Sequence, residues 1–263
     1  MIFNQPVPPQ DAIEFANRMI VPSPMTSAEW RDVPAELRAR AFFSSQVENT
    51  QLLQAARDKI QDFLKNSRDE NGALKTGGRA QFVNQMQEWL AKNGIGRTTG
   101  DLNDITSQGR LSLIFNTQIQ QANSCANWKA SMDPDVLNEF PAWRFIRVIS
   151  VKEPRLNHAR YQGKVFLKTD PIWYLVINQD FGVPWGPWGW GCGHDVEDVD
   201  RDEAEDLGLL GPEDVVEPDK KWNFNTGLQA SIKHLDPDLV QKLLDSFGDL
   251  VTVKDGSIFW TQS

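Results

Sequence analysis

Apolar residues recur every three or four positions through the first half of the chain, which is the spacing of a helix with one buried face. The pattern predicts a short helix over 11–19, helical structure over 36–65 with a fresh start near Asn49, and a helix around 82–90. The longest candidate covers 101–130. Its shared apolar face consists of Leu111, Phe115, Ile119, Ala122 and Ala126.

The pattern changes at about Pro141, after which β-branched and aromatic residues form short runs that are typical of strands. We predict strands over 143–151, 163–167 and 173–177. Near the C-terminus, Asp236 and Pro237 begin an amphipathic helix, and the segment Lys254-Asp255-Gly256-Ser257 predicts a closing hairpin. This order predicts an α+β fold: a helical N-terminal half, a small antiparallel β module with long loops rich in tryptophan and glycine, and a C-terminal helix and hairpin.

Three regions follow from the order of the segments. Prolines make residues 1–35 an extended N-terminal arm, 36–140 is the helical region, and 141–263 is the α+β module. The last region includes an acidic segment at 195–219 and the C-terminal helix and hairpin. A chain of 263 residues with 40% hydrophobic residues is long enough for one large domain or two smaller ones.

The net charge of −9 comes from the acidic segment. Residues 195–219 contain twelve acidic residues and one basic residue, Arg201, and the rest of the chain has 24 acidic and 26 basic residues. A broad nucleic-acid-binding face is therefore not indicated. We interpret the acidic segment as a solvated surface of helix and loop, or as a surface that binds a basic partner.

Basic residues are concentrated around the predicted strands. Aromatic neighbours would let them contact nucleic acid, whereas the acidic segment that follows them offers partners of opposite charge. The closeness of the opposite charge favours pairing within the chain. The basic residues are Arg144, Arg147, Lys152, Arg155, Arg160, Lys164 and Lys168.

Neither a membrane nor an oxidising compartment is indicated by the sequence. The chain has no apolar run of about 18 residues, and its first residues lack the basic and apolar regions of a secretion signal. We therefore expect no membrane partner, and we expect Cys125 and Cys192 to be free thiols. Cys125 lies on the longest predicted helix and is assigned to the core.

The segment Pro184 to His194, which we call the Trp–Gly loop, has the sequence PWGPWGWGCGH. Its glycines and prolines disfavour a helix or a regular strand. Its three tryptophans are costly to leave in water, so the loop must pack onto the protein. The Trp–Gly loop is therefore a structural knot, a metal site, or both.

The metal interpretation starts from Cys192 and His194, which are zinc-type ligands, with His158 as the third candidate. Zinc requires four ligands, or three and a water molecule. In the alternative interpretation Cys192 is a small buried apolar residue and the histidines are hydrogen-bonded loop groups. The candidates for a fourth ligand are Glu153, Asp195 and His234.

Other chemistry has weaker support in the sequence. His158 and Cys192 are a formal base and nucleophile, but neither a nucleophile elbow nor an oxyanion loop accompanies them. The alternation of Asp198, Asp200 and Asp202 is similar to the start of a calcium loop. The later positions of that loop lack the required glycine and the bidentate glutamate. We therefore do not expect an enzyme.

The order of four segments resembles the phage Mu protein F-like family of minor head proteins, also called phage head morphogenesis proteins. The segments are the helical lead at 41–64, the central helix at 110–122, the strand, histidine and Gly-x-Val region at 143–173, and the Trp–Gly loop. Residues 222–227 are similar to a trailing element of the family. The resemblance covers about 36–230. His194 stands where the family has the second cysteine of Cys-x-Cys, a change that keeps a zinc ligand type.

The resemblance implies a structural protein of the virion that acts in head morphogenesis, in few copies and associated with the portal vertex. It implies the portal protein, the major capsid protein or both as partners, with phage DNA as a further candidate, and a location in the phage head after assembly in the host cytoplasm. It also raises the case for zinc on His158, Cys192 and His194. Two alternatives stay open: a metal-dependent hydrolase or nuclease that uses these three residues, and a DNA-binding delivery protein that uses the basic residues of 144–168.

Overall fold

The computed structural model of the chain describes residues 9–42, 49–66, 78–96, 104–149, 155–222 and 229–261. The α+β class predicted from the sequence is confirmed. Two compact units are formed, and each of them combines segments that are distant in the sequence. Unit 1 consists of Asn123–Asn223 with Met1–Asp11, and unit 2 consists of Ala12–Ala122 with Phe224–Ser263.

The helices and strands are numbered along the chain. The helices are α1 (Pro9–Asn17), α2 (Ser27–Asp32), α3 (Ala35–Arg38), α4 (Thr50–Asn66), α5 (Gly78–Lys92), α6 (Gln108–Ser131), α7 (Pro134–Glu139), α8 (Leu156–Tyr161), α9 (Arg201–Asp206) and α10 (Pro237–Phe247). The strands are β1 (Ala142–Arg147), β2 (Val165–Leu167), β3 (His194–Val199), β4 (Gln229–Ser231), β5 (Val251–Lys254) and β6 (Ser257–Trp260). A single π-helical turn covers Trp173–Ile177.

The predicted N-terminal segments differ from the structure in two places. The extended arm predicted for 1–35 is corrected, because α2 also lies within it and begins at a reciprocal capping box between Thr26 and Glu29. The short helix predicted over 11–19 corresponds to α1. The helical structure predicted over 36–65 is interrupted after α3, where Ala41 forms a parallel bridge with Ile20. The fresh start near Asn49 is confirmed, because its side chain accepts a hydrogen bond from the Leu52 amide in the first turn of α4.

The C-terminal helix and hairpin belong to unit 2, and not to the α+β module in which the sequence placed them. Buried apolar residues of α10, β5 and β6 pack with residues of α2 and α3 in one core cluster. Helix α10 begins at Pro237, as predicted, and Asp236 caps it by accepting from the Asp238 amide. Asp255 and Gly256 both have positive φ, which gives the two-residue turn that suits a tight hairpin. Strand β4, which pairs with β6, was not predicted.

Unit 1 is built on a three-stranded antiparallel sheet in the order β2-β1-β3. Directly paired residues lie on the same face of an antiparallel sheet. The pairs Trp143 with Asp198 and Arg147 with His194 therefore share one face. On the opposite face, Ala142 and Val199 pack against Ala204 of α9.

The third predicted strand, 173–177, is instead a π-helical turn. Its β-branched and aromatic composition is typical of a strand, but the preceding Asp170-Pro171 begins a helical turn: the Asp170 carboxylate accepts from the Ile172 amide, and the Pro171 carbonyl accepts from the Leu175 amide. A helical turn buries Trp173 and Ile177 together, four positions apart, whereas a strand would also bury the residue between them.

The acidic segment at 195–219 includes a strand that the sequence did not predict, and the rest of it is the largely exposed helix and loop that was predicted. It begins within β3, which pairs with β1 along its whole length, and it continues into α9.

In the described part of the chain, no helix has both the length and the apolar character that crossing a bilayer requires.

Candidate metal centre

Three residues predicted as metal ligands come together in unit 1. His158 lies in the middle of α8, Cys192 lies near the end of the Trp–Gly loop, and His194 is the first residue of β3. The Cys192 Sγ lies 3.2 Å from Nδ1 of His158 and 3.4 Å from Nδ1 of His194. When one ligand atom is taken from each residue, the three atoms all lie within 4.8 Å of one another.

His158 is oriented by a backbone carbonyl. Its Nε2 lies 2.9 Å from the carbonyl oxygen of Ile177, at the end of the π-helical turn. A carbonyl only accepts, so this contact places the proton on Nε2 and leaves Nδ1 as a lone pair that faces the Cys192 sulfur. Burial lowers the pKa of His158, which favours the same neutral form. Histidine ligands of metals in proteins characteristically donate their second N–H in this way.

His194 is held by an aromatic neighbour. Its ring stacks on Phe145 with a centroid distance of 4.7 Å and an interplanar angle of 6°, and it stands perpendicular to the His158 ring. Burial is the main cause that lowers the pKa of His194 to about 4, and the positive charge of Arg147 adds to it. The Nε2 atom of His194 is buried, and the described residues offer it no hydrogen-bond partner. The imidazole is thus neutral and available as a ligand at neutral pH.

The Trp–Gly loop forms part of the core of unit 1. Trp185 and Trp188 are each 1% exposed, and Trp188 packs with Trp173, Trp143 and Phe145. The fully buried Asn178 donates from its amide to the carbonyls of Val183 and Trp185 and so fixes the start of the loop. The structural knot is confirmed by this packing. The role of Asn178 was not predicted, because its partners are backbone atoms, which have no sequence signature.

Arg155, the residue before α8, connects the end of the Trp–Gly loop to that helix. Its guanidinium lies 2.8 Å from the Asp180 carboxylate and donates to the Trp190 carbonyl. Gly189 has a φ of +151°, and a Cβ atom there would lie 2.9 Å from the guanidinium carbon. Glycine at this position therefore lets Arg155 close over the loop and keeps α8, with His158, next to Cys192.

The donor spacing is compatible with a tetrahedral metal ion. For zinc, Zn–N bonds of about 2.0 Å and Zn–S bonds of about 2.3 Å separate N and S by about 3.5 Å. The observed N–S distances of 3.2 and 3.4 Å are close to that value. Two neutral imidazoles and one cysteine are also the ligand types that zinc prefers. The cluster therefore can hold a metal ion.

None of the described candidates for a fourth ligand joins the cluster. Asp195 follows His194 along β3, so its side chain points to the opposite face of the sheet, where burial raises its pKa. His234 is exposed and belongs to unit 2. Glu153 lies outside the described residues.

The same geometry disfavours a cysteine nucleophile. Burial raises the pKa of the Cys192 thiol and lowers the pKa of His158, so the neutral thiol and imidazole are favoured over a thiolate–imidazolium pair. A nucleophilic cysteine requires the opposite shifts. Metal binding would supply the positive charge that stabilises the thiolate. Cys125, the other free cysteine, is buried in α6, which confirms its assignment to the core.

The acidic and basic segments pair within unit 1, as the sequence favoured. Arg144 forms ion pairs with Glu197 and with Glu203. The fully buried Lys168 lies 2.6 Å from Asp198, which also accepts from the Trp143 indole. Asp200 caps α9 by accepting from the Glu203 amide. Two carboxylates of the calcium-like pattern, Asp198 and Asp200, therefore have structural roles. Lys152 lies outside the described residues.

The chain matches no model of a known protein family, no curated protein and no solved structure.

Proposed function

We propose that the chain is a minor protein of a phage head, and that its unit 1 is a structural module pinned by a zinc ion on His158, Cys192 and His194. The observation that carries the zinc part is the convergence of three ligand atoms from α8, the Trp–Gly loop and β3. The head role is supported by the resemblance of four segments in the sequence. These two parts are separable and are tested separately.

Burial of the cluster supports a structural role over a catalytic one. His158 and His194 are each 2% exposed, and Phe145 covers one face of His194. Structural zinc sites are held by buried protein side chains of this kind. When bound, zinc would supply cross-links between segments that are distant in the sequence, which stabilise the folded state.

Apolar side chains on unit 1 support binding to another protein. Val148 and Ile149, directly after β1, and Leu156, at the start of α8, are all more than half exposed. Exposed apolar groups are often covered by a partner when they form a patch. The partners that we propose are the portal protein and the major capsid protein, and the predicted location is the virion.

Complementation tests the head role. A phage that lacks the gene is supplied with the wild-type chain, with Cys192→Ser, or with the matched control Cys125→Ala. Mass spectrometry of purified particles measures incorporation, and electron microscopy counts filled heads. We expect the wild-type chain in particles at far fewer copies than the major capsid protein, and fewer filled heads with Cys192→Ser than with Cys125→Ala. The head role would be contradicted if the supplied wild-type chain is not found in particles and the phage without the gene forms filled heads normally.

A further inference from the structure

The candidate metal centre has one side that faces solvent. His158 and His194 are buried, and Cys192 is the only one of the three that is partly exposed. The described residues supply three ligand atoms, and zinc takes four ligands. A fourth ligand from another molecule would therefore have to approach on the side where Cys192 is partly exposed.

Arg147 lies next to His194 in the sheet. It pairs directly with His194 across β1 and β3, so the two side chains share one face of the sheet with Cβ atoms about 5 Å apart. Its positive charge acts on both His194 and Cys192. Within the described part of the chain, its side chain makes one long polar contact, 3.4 Å from Nε to the Gln162 side chain, and no carboxylate there forms an ion pair with it.

Arg155, the second arginine near the cluster, has a different role. Its positive charge also favours the Cys192 thiolate, but its guanidinium is paired with Asp180 and donates to the Trp190 carbonyl. Of these two arginines, Arg147 is therefore the one for which the described residues provide no carboxylate partner. A zinc ion with one thiolate ligand keeps a net charge of +1, which one carboxylate neutralises, and zinc accepts carboxylate oxygen as a ligand. Arginine binds carboxylates through paired N–H donors.

We infer that the fourth position of the metal centre is a carboxylate-binding site, in which Arg147 holds the second oxygen of a carboxylate supplied by another molecule. This inference rests on the proposed zinc site. The carboxylate would belong to an acidic side chain or the C-terminus of a partner protein. Unit 1 would then be a module whose metal binds a partner as well as stabilising the fold.

Cobalt substitution tests the inference without an activity assay. The purified chain is loaded with Co²⁺, and its near-ultraviolet thiolate band and visible d–d bands are recorded while sodium acetate is added at constant ionic strength. A parallel titration uses inorganic phosphate. We expect acetate to shift the d–d bands in a saturable manner. Arg147→Gln should bind acetate about tenfold more weakly, because a charge-assisted hydrogen bond is lost.

Two variants serve as controls for Arg147→Gln. Arg160→Gln removes an exposed arginine of α8 and should leave acetate binding unchanged. Arg147→Lys should keep part of the acetate affinity of the wild type, because the positive charge stays. Unchanged d–d bands with acetate, in protein that shows the thiolate band, would overturn the inference while leaving the zinc site intact.

Other results are also decisive. Equal acetate binding by Arg147→Gln and wild type would overturn the role of Arg147, and a response to phosphate without one to acetate would overturn the carboxylate class. Absence of the thiolate band would overturn the zinc proposal itself, and the carboxylate site with it.

Discussion

The rings of Phe145 and His194 lie parallel, 4.7 Å apart, on one face of the unit 1 sheet. Phe145 also contacts His158 and Trp188 edge to face. One fully buried phenylalanine thus connects the candidate metal centre to the tryptophan core. The packing of unit 1 and the positions of the two histidines are therefore coupled.

The first prediction concerns this coupling. Phe145→Ala should destabilise the protein by about 3 to 5 kcal/mol, because it removes a buried aromatic side chain and leaves a cavity. Phe145→Leu should cost less and still weaken metal binding, since the stacking surface for His194 is lost. Chemical denaturation and a zinc titration measure the two effects. Metal affinity in a folded Phe145→Leu protein equal to that of the wild type would show that the stack does not position His194.

The second prediction concerns the buried ion pair of Lys168 and Asp198, whose charged atoms are 2.6 Å apart. Burial lowers the pKa of Lys168, and the Asp198 carboxylate opposes that shift. Lys168→Met should cost about 3 to 5 kcal/mol, because Asp198 is left without its charge partner. Denaturation midpoints measure the loss.

A double variant is the control for that pair. Lys168→Met combined with Asp198→Asn should recover part of the stability, since the amide still accepts from the Trp143 indole and carries no charge. A double variant that is less stable than Lys168→Met alone would contradict this account of the pair.

The third prediction concerns Gly189. An alanine there would need an unfavourable φ, and its Cβ would push against Arg155, so the contact between the Trp–Gly loop and α8 should loosen. Gly208→Ala is the matched control, because Gly208 has a φ of +69° but open space around it. We expect both variants to lose stability and only Gly189→Ala to lose zinc affinity as well. Equal zinc affinities in the two variants would contradict the proposed role of Arg155.

The fourth prediction is a pH dependence in unit 2. The pKa of Glu29 is lowered to about 2, mainly by its contact with Lys242 and then by Thr26 in the capping box of α2. The folded pKa lies below the ordinary value, so this stabilisation is complete above about pH 4.5 and is lost as the pH falls toward 2. Glu29→Gln should therefore cost about 1 kcal/mol at pH 6 and progressively less between pH 4.5 and 2. A difference in unfolding free energy that stays constant over this range would contradict the assignment.

Local patterns predicted much of the fold. The helical spacing around 111–126 and the helix start at Asp236-Pro237 depend on neighbouring residues, and both are found in the structure. The strand predicted over 143–151 is found in its first part, as β1 ends at Arg147. The turn at 173–177 was predicted incorrectly, since its composition favours a strand and its conformation is set by Asp170, Pro171 and the burial of Trp173.

Long-range relationships were harder to predict. The assignment of α10 and the hairpin to unit 2 depends on apolar contacts between residues about 200 positions apart, for which one sequence gives no signal. The three candidate metal ligands were proposed from residue type and from the resemblance. The features that orient them, the Ile177 carbonyl and the Phe145 ring, have no motif of their own.

Zinc content measured by elemental analysis tests the central claim most directly. The chain is purified without chelators, equilibrated with zinc and dialysed, alongside Cys192→Ser, His158→Asn and His194→Asn. His234→Gln and Cys125→Ala are the controls, because they alter a histidine and a cysteine outside the cluster. We predict one zinc ion per chain in the wild type and in both controls, and much less than one in the three cluster variants. A folded wild-type chain without zinc, or full zinc content in Cys192→Ser, would contradict the claim.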